Sequence, residues 1–271
     1  MGYKVVIPAR WGSTRLPGKV LHPIRGRPML AYVIDVARIS GADTVVVASE
    51  SEKVLELAVQ AGGVGCLTSA DHASGTDRIG EVVEQLHWGD DEVVVNLQGD
   101  EPLMPPALVR QCATLLEQRT AFTMATLGVP LHTREDFENP NVVKVVVDCR
   151  GRALYFSRAP IPWPRDAETA EAGGWSRIRG ALRHIGLYAY RVSAIKRLAM
   201  EPPCELEEIE RLEQLRALWI GIDIAVEVGR GLPGPSVDTY ADVGKVEDWM
   251  VAAGMTRAGS SQVSLGSHSP A

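Results

Sequence analysis

The stretch KVVIPARWGSTRLPGK, residues 4–19, decides the class of fold. Its first five residues form a continuous apolar-rich run of the kind found in buried strands, and a loop rich in Gly, Pro and Arg follows. A helical spacing of apolar residues then extends from Pro28 to about Ile39. A strand, a loop and a helix in this order indicate a protein built from βαβ units.

The same order of elements recurs along the chain and predicts an α/β fold. Continuous β-branched runs such as TVVVA at 44–48 and EVVVNL at 92–97 indicate strands that helices cover on both faces. Further strands are predicted at 122–129, 142–148, 153–157, 184–190 and 222–228, and further helices at 52–61, 76–86, 106–118, 206–218 and 240–253. A tight turn at 149–152 joins two strands into a hairpin, so the central sheet is predicted to be mixed.

Two segments lack the pattern of a regular element. Residues 159–180 combine Pro, Gly and charged residues without periodicity, which indicates a mobile loop of the kind that often covers a site. Residues 254–271 are rich in Ser and Gly and are predicted to form a disordered tail. We therefore expect a single domain over residues 1–253.

The composition is that of an ordinary soluble globular protein, with 45% hydrophobic and 23% charged residues. The formal net charge of −6 argues against a general nucleic-acid binder, which carries a basic surplus. No apolar run is long enough for a membrane span, and we expect no secretory signal. The four cysteines lie far apart in the sequence, which predicts reduced thiols in a cytoplasmic protein rather than disulfides or a zinc site.

The loop after the first predicted strand is the first candidate site. It places three cationic side chains beside two glycines and two hydroxyl groups, at the position where α/β sheets bind polyphosphates. It is not a Walker loop, because five residues separate Gly12 from Gly18 and Val20 stands where a Ser or Thr would bind magnesium. A basic surface turn without a ligand is the alternative interpretation.

Two carboxylates, Asp100 and Glu101, follow the strand predicted at 92–97. The carboxyl ends of strands face the ligand crevice in open α/β sheets, and an acidic residue there commonly holds Mg²⁺ against phosphate oxygens. A helix N-cap is the alternative interpretation of an acidic residue before a proline-rich segment. Because the sequence also has a loop typical of phosphate binding, metal binding is the favoured interpretation of these two carboxylates, and Mg²⁺ is the expected cofactor.

Two further groups of polar residues give weaker signals. Residues 71–78 concentrate polar side chains and a glycine before a helix, which suits recognition of a base or ribose but is also explained by a helix cap at Thr76. In the second half, Arg158, His184 and the acidic helix at 206–218 carry groups that bind carboxylates and sugar hydroxyls. The charge spacing of that helix is equally typical of a solvated amphipathic face.

These motifs together identify a family. In chain order they are IPAR (7–10) with STRLPGK (13–19), DH (71–72) with SGT (74–76), Asn96 with QGDEP (98–102), NPN (139–141) with VKV (143–145), LYFSR (154–158), RH (183–184) with Gly186, and LEQLR (212–216). The combination closely resembles the CMP-Kdo synthetases, which are 3-deoxy-manno-octulosonate cytidylyltransferases. The resemblance runs in order from about Lys4 to Met250.

The resemblance implies a reaction and a fold. The reaction is CTP + Kdo → CMP-Kdo + pyrophosphate, which activates an acid sugar for lipopolysaccharide biosynthesis. The family fold is a Rossmann-like nucleotidyltransferase with a mixed sheet and a smaller β-rich portion used in sugar binding and dimerisation. Here it implies a cytoplasmic homodimer in which residues 1–120 mainly bind CTP and residues 121–235 mainly bind the sugar and dimerise. The expected partners are these small-molecule substrates, with no nucleic acid and no membrane.

The resemblance also implies the roles of individual residues. The nucleotide-binding residues would be Arg10, Ser13, Lys19, Asp71, Ser74, Gly75 and Gln98. The sugar-binding residues would be Arg158, His184, Tyr188, Glu213 and Gln214. Asp100 and Asp238 would coordinate Mg²⁺, and Arg10, Lys19 and Asp100 would be the catalytic residues.

Departures from the family pattern leave other functions open. Val20 stands at a position that is often Pro, Trp11 begins a dipeptide that is commonly Tyr-Ala, and Cys204 stands where Ser is common. A related acid sugar such as 8-amino-Kdo is therefore an alternative substrate. Sialic acid is disfavoured because the enzymes that use it have a different loop after the first strand. A non-catalytic nucleotide-binding protein is a further hypothesis, against which the intact charged residues argue.

Overall fold

The helices and strands are those of a computed structural model that describes residues 2–12, 16–72, 74–165 and 180–255. The strands are β1 Tyr3–Pro8, β2 Pro23–Ile24, β3 Arg27–Pro28, β4 Thr44–Ser49, β5 Val64–Leu67, β6 Val93–Asn96, β7 Met124–Pro130, β8 Lys144–Val147, β9 Ala153–Ser157, β10 Ala181–Arg191 and β11 Ile224–Val228. The α-helices are α1 Met29–Ile39, α2 Glu52–Gln60, α3 Gly75–Gln85, α4 Pro106–Gln118, α5 Arg134–Glu138, α6 Val192–Met200, α7 Glu205–Glu210, α8 Gln214–Trp219 and α9 Tyr240–Ala252. The predicted alternation of strands and helices is confirmed.

Nine strands of the described residues form one mixed sheet, as predicted. Its main order is β11-β7-β10-β6-β1-β4-β5, with β8 paired to β10 and β9 paired to β8. β1 is parallel to both β4 and β6, whereas β10 runs antiparallel between β6 and β7. Because the chain leaves β1 toward β4 and returns at β6 on the other side, the carboxyl ends of β1 and β6 form a switch point where such sheets bind ligands.

Buried apolar clusters cover both faces of the sheet. On one face, Val5 and Ile7 of β1 pack in a cluster with side chains of α1, α2 and α4. On the other face, Val6 packs in a second cluster with side chains of α3, α6 and α8. Neighbouring residues of β1 alternate between the two clusters because side chains of a strand point to opposite faces in turn. A third cluster, which contains Leu16 and Val237, joins the first loop to α9.

The single helix predicted at 206–218 is wrong, because two helices, α7 and α8, occupy this stretch. Between them Arg211 adopts a left-handed conformation with φ 55°. Arg216 donates hydrogen bonds to both carboxylate oxygens of Glu207, at 2.8 and 2.6 Å. Nine residues of continuous helix would separate this pair by about 13 Å along the axis. The break therefore allows the ion pair to form, and it brings Glu213 to the pocket described below.

Several sequence predictions are not decided by these elements. Most of the loop predicted at 159–180 and nearly all of the tail predicted at 254–271 lie outside the described residues. The division into a nucleotide-binding part and a sugar-binding part stays a prediction. No helix in the described part of the chain is long and apolar enough to cross a membrane.

Candidate active site

The loop after β1 carries Lys19 to the carboxyl end of the sheet. Gly18 adopts a left-handed conformation with φ 65° and precedes a 3₁₀ turn that begins at Lys19. Leu16 is fully buried in the third apolar cluster and anchors the middle of the loop. Arg10 is exposed at the start of the same loop, whereas Ser13 lies outside the described residues.

A buried ion pair holds the start of this loop. The Arg78 guanidinium of α3 is only 1% exposed, and it lies 3.0 Å from the Glu50 carboxylate and donates to the Thr68 hydroxyl. The other carboxylate oxygen of Glu50 accepts a hydrogen bond of 2.8 Å from the backbone N–H of Trp11. Although burial opposes it, backbone N–H donors and the charge of Arg78 lower the pKa of Glu50. Glu50 is therefore a fixed anion that positions the loop.

Two carboxylates converge on Lys19 at the switch point. The Nζ atom of Lys19 lies 2.6 Å from Oδ2 of Asp100 and 3.2 Å from Oδ1 of Asp238. Asp100 follows β6 and Asp238 precedes α9, so Lys19 contacts two carboxylates that are 81 and 219 positions away from it in the chain. The structure thus brings together Lys19, Asp100 and Asp238, which are three of the four residues that the resemblance assigns to catalysis or to the metal.

The backbone around Asp238 is fixed by two sets of hydrogen bonds. The Val237 N–H donates to the carbonyl oxygen of Asp100 at 3.0 Å, which joins the two carboxylate-bearing segments directly. The Asp242 carboxylate accepts from the N–H groups of Asp238 and Thr239, at 3.3 and 3.0 Å, and from the Thr239 hydroxyl at 2.8 Å. These bonds lower the pKa of Asp242 to about 2, with the Lys245 contact as the largest cause. Asp242 therefore stays ionised and holds Asp238 in place.

The chemistry of this group fits a divalent cation bound with phosphates. Burial lowers the pKa of Lys19, but the Asp100 and Asp238 carboxylates outweigh burial and raise it, so the ammonium group is charged. Among the described residues there is no cluster of three or more His, Cys, Asp and Glu side chains that could bind a metal. Mg²⁺ commonly takes only one or two protein carboxylates, together with water and substrate phosphates. Asp100 and Asp238 are such a donor pair.

Glu101 differs from its neighbour in charge. Burial raises the pKa of Glu101 to about 8, and the negative charges of Asp100 and Asp238 add to the shift, while Arg183 and Lys19 oppose it. At neutral pH Glu101 is therefore mostly protonated. Of the two adjacent carboxyl groups that the sequence places after β6, only Asp100 contacts Lys19.

A small polar pocket lies beside this group of charges. Its cavity measures about 30 Å³, and its lining residues are Thr76, Asn96, Gln98, Met124, Tyr188, Tyr190, Leu198, Glu213 and Gln214. Three buried atoms of this lining have no hydrogen-bond partner among the residues that the structure describes, namely the Tyr188 hydroxyl, Oε1 of Glu213 and Nε2 of Gln214. Buried polar atoms without partners are rare, because each costs about 1–3 kcal/mol. A cavity of this size holds a water molecule or one polar group of a larger ligand, and either would satisfy these atoms.

The pocket joins residues that the resemblance assigns to different substrates. Tyr188, Glu213 and Gln214 belong to the expected sugar site, whereas Gln98 belongs to the expected nucleotide site. Gln98 donates to the Asn96 side chain at 3.3 Å, at the end of β6. Burial raises the pKa of Glu213, and the nearby Ser74 and Thr76 hydroxyl groups and Arg216 oppose the shift.

The start of α3 forms one wall of the pocket, because Thr76 lines it. Ser74, rather than the predicted Thr76, is the N-cap, because its hydroxyl accepts from the Asp77 N–H at 3.1 Å and its own N–H donates to the Asp77 carboxylate at 3.0 Å. A Cβ atom added to Gly75 would lie 3.5 Å from Pro8 and 3.9 Å from Gln98, so this helix start lies against the ends of β1 and β6. Asp71 is exposed in the preceding turn, outside the pocket lining.

Arg158 is held by the protein's own backbone. Its Nε atom donates to the carbonyl oxygen of Glu210 at 2.6 Å, and one terminal nitrogen donates to that of Pro140 at 3.0 Å. The fully buried Lys144 donates three hydrogen bonds from Nζ, to the carbonyl oxygens of Arg158, Val142 and Asn139 at 2.7, 2.6 and 3.0 Å. Arg158 does not line the pocket, and these contacts tie the end of β9 to α7.

His184 lies next to the pocket without lining it. Its Nε2 atom is 3.0 Å from the Thr126 hydroxyl, and its ring contacts those of Phe156 and Tyr188, with centroids 5.1 and 5.2 Å apart. Sequence patterns do not predict Thr126 as part of the site, because a threonine in a strand carries no sequence signal that distinguishes it from an ordinary surface residue. Arg78 is the last residue of the predicted polar segment 71–78, but its ion pair with Glu50 is not predicted.

Comparisons with known proteins show the family and the fold of the chain. Residues 4–224 match the model of the cytidylyltransferase family. A similar solved structure is that of CMP:2-keto-3-deoxy-manno-octonic acid synthetase complexed with CTP, 38% identical, with a TM-score of 0.84 over 93% of this chain and 99% of that one. A cytidylyltransferase from Leptospira borgpetersenii serovar Hardjo-bovis (strain JB197) shares the fold at 16% identity, with a TM-score of 0.61 over 93% of this chain and 87% of that one. The chain belongs to the cytidylyltransferase family.

Proposed function

We propose that this protein transfers CMP from CTP to 3-deoxy-D-manno-octulosonic acid, Kdo, giving CMP-Kdo and pyrophosphate for lipopolysaccharide biosynthesis. One observation carries the proposal. Lys19, Asp100 and Asp238 converge beside a pocket with three unpartnered polar atoms, in a chain 38% identical to a CTP-bound synthetase for this sugar. A cationic group beside paired carboxylates suits a triphosphate, and the polar pocket suits a polyhydroxylated acceptor.

The reaction is an in-line substitution at the α-phosphorus of CTP. The oxygen of the sugar's anomeric hydroxyl forms a bond to this phosphorus, the bond to the β-phosphate oxygen breaks, and the hydroxyl proton passes to solvent. Pyrophosphate leaves with the bonding electron pair. Negative charge grows on the phosphate oxygens, so a fixed positive charge in a preorganised site lowers the barrier.

The residues of the switch point supply this environment. Lys19 is charged and fixed by two carboxylates, and Arg10 lies on the same loop. The N-terminus of α3, capped by Ser74, presents backbone N–H groups near the ends of β1 and β6. Asp100 and Asp238 would hold Mg²⁺, which when bound neutralises phosphate charge and orients the triphosphate.

The acceptor site would include this pocket, whose cavity of about 30 Å³ takes one polar group of the sugar rather than the whole molecule. Tyr188, Glu213 and Gln214 present a hydroxyl, a carboxylate oxygen and an amide to its interior. These groups suit sugar hydroxyls, which both donate and accept hydrogen bonds. Dependence on Mg²⁺, a homodimeric state and a cytoplasmic location are further parts of the proposal that rest on the family resemblance.

The acceptor and the nucleotide are tested in one panel. Pyrophosphate release is measured with CTP, ATP, GTP or UTP, and with Kdo, 8-amino-Kdo or a sialic acid as acceptor, in the presence of Mg²⁺. We expect release with CTP and Kdo alone. Release with CTP and 8-amino-Kdo instead would assign the alternative acceptor, and no release with any pair would favour a nucleotide-binding protein without catalysis.

A further inference from the structure

An irregularity of β10 places His184 and Tyr188. The pairing of β10 with β7 changes register between Ile185 and Tyr188, so a bulge forms in β10 opposite Thr126 of β7. A bulge interrupts the hydrogen bonds of the ladder and changes the direction of side chains beside it. Here the carbonyl oxygens of Ile185 and Leu187 accept hydrogen bonds from the Thr126 side chain.

The Thr126 hydroxyl has three neighbours and one proton. The residue is fully buried, and its Oγ1 lies 2.7 Å from the carbonyl oxygen of Leu187, 3.2 Å from that of Ile185 and 3.0 Å from Nε2 of His184. Carbonyl oxygens can only accept hydrogen bonds, so the hydroxyl proton points to them. An oxygen lone pair then faces His184, and Nε2 must carry the proton of that contact.

We propose that Thr126 is a positioning residue that fixes His184 as the Nε2–H tautomer, so that Nδ1 accepts a hydrogen bond from a hydroxyl group of the acid sugar. The inference rests on the proposed function. In a neutral imidazole one nitrogen donates and the other accepts, so the bond at Nε2 decides the role of Nδ1. The Nδ1 atom has no hydrogen-bond partner in the described part of the chain.

The surroundings of His184 hold this state. Burial lowers the pKa of His184 to about 3, so the ring is neutral at pH 7 and is a hydrogen-bond acceptor rather than an effective general base. Phe156 contacts the ring edge to face, and Tyr188, which lines the pocket, contacts it at a tilt of 45°. The Nδ1–H tautomer would place an unprotonated Nε2 atom against the hydroxyl lone pair of Thr126.

The tautomer is measured directly by nuclear magnetic resonance. Long-range ¹H–¹⁵N correlations distinguish a protonated ring nitrogen from an unprotonated one, and the sequence has six histidines to resolve. The His184 signals are those that disappear in His184→Asn. We expect the proton on Nε2 in the wild type and in Thr126→Ser, which keeps the hydroxyl. In Thr126→Val, which keeps the shape alone, we expect a mixture of both tautomers.

Steady-state kinetics separate positioning from a general structural effect. Thr126→Val should raise KM for the acid sugar about five- to tenfold, as expected for one lost hydrogen bond, and change KM for CTP by less than about twofold. Thr126→Ser should stay within about twofold of the wild type for both substrates. Thr44→Val is the matched control, because Thr44 lies in β4 of the same sheet, opposite Lys4 of β1 and outside the pocket lining.

Two results would overturn the role of Thr126. One is a wild-type His184 with its proton on Nδ1, and the other is a Thr126→Val protein that keeps the Nε2–H tautomer and the wild-type KM for the sugar. The spectra do not need turnover, so the tautomer is decided separately from the reaction. An inactive protein with the Nε2–H tautomer would contradict the proposed function, whereas an active protein with the Nδ1–H tautomer would contradict the positioning role.

Discussion

Replacing Asp100 by Asn removes one of the two carboxylates at Lys19 and leaves the shape of the side chain unchanged. Asp100 is the nearer partner, at 2.6 Å against 3.2 Å for Asp238, and its side chain is less exposed, at 29% against 44%. Under the proposed function, we therefore expect Asp100 to contribute more than Asp238 to the binding of Mg²⁺. The neutral amide would keep a weak oxygen donor but not the charge.

The expected loss follows from the electrostatic role of this residue. Removal of one preorganised group that stabilises transition-state charge commonly lowers kcat by roughly 10²- to 10³-fold, or about 2.7–4 kcal/mol. The folded protein should change little, because the Asp100 side chain is partly exposed and Lys19 keeps its contact with Asp238. We expect the melting temperature to stay within about 3 °C of the wild type.

The assay is pyrophosphate release at saturating CTP and Kdo, with Mg²⁺ titrated from limiting to excess. Asp100→Asn should show the lower kcat and require more Mg²⁺ for half-maximal activity. Asp248→Asn is the matched control, because Asp248 is exposed on α9 and is not part of the site. Wild-type turnover of Asp100→Asn at limiting Mg²⁺ would refute the assignment of Asp100.

Three further predictions concern groups that support the site. Glu50→Gln removes the carboxylate that pairs with the buried Arg78, so the free energy of unfolding, measured in urea, should fall by about 3 kcal/mol. Because Glu50 also holds the start of the loop, KM for CTP should rise more than KM for Kdo. An unchanged KM for CTP would contradict the loop-anchoring role of Glu50. Lys144→Met removes the hydrogen-bond donor of three carbonyl oxygens and should lower the free energy of unfolding by about 3 kcal/mol. A loss below about 1 kcal/mol would contradict a stabilising role of these hydrogen bonds. Burial lowers the pKa of His184 to about 3, so the unfolded chain binds more protons, and stability falls as pH decreases from about 6.5 toward 3. The free energy of unfolding, measured at several pH values, should fall less steeply toward low pH for His184→Asn than for the wild type. Parallel curves of this free energy against pH for the two proteins would disprove the lowered pKa of His184.

The sequence predicts the sheet well because its strands carry a strong local signal. The β-branched runs at β1, β4 and β6 are buried on both faces, so their residues have no need to alternate between apolar and polar. β5 is not predicted, because Val64 and Gly65 follow two glycines and the strand is only four residues long. Its pairing with β4, which is a tertiary contact, stabilises it.

The residues of the site could be predicted only in part from local patterns. The Lys19 loop and Asp100 stand at the ends of predicted strands, where α/β sheets bind ligands, and the resemblance adds Asp238. The break at Arg211 could not be predicted, because the charge spacing on either side of it is that of a continuous helix. The contact of Arg216 with Glu207 and the burial of Leu212 decide the break, and both depend on the folded chain.

The most direct test of the proposed reaction is a ³¹P spectrum of CTP, Kdo, Mg²⁺ and the protein, followed over time. We expect the triphosphate signals to be replaced by equal amounts of pyrophosphate and of one phosphodiester, CMP-Kdo, and only when Kdo is present. Unchanged CTP, or hydrolysis of CTP to CMP without a Kdo-dependent phosphodiester, would contradict the transfer of CMP to this sugar.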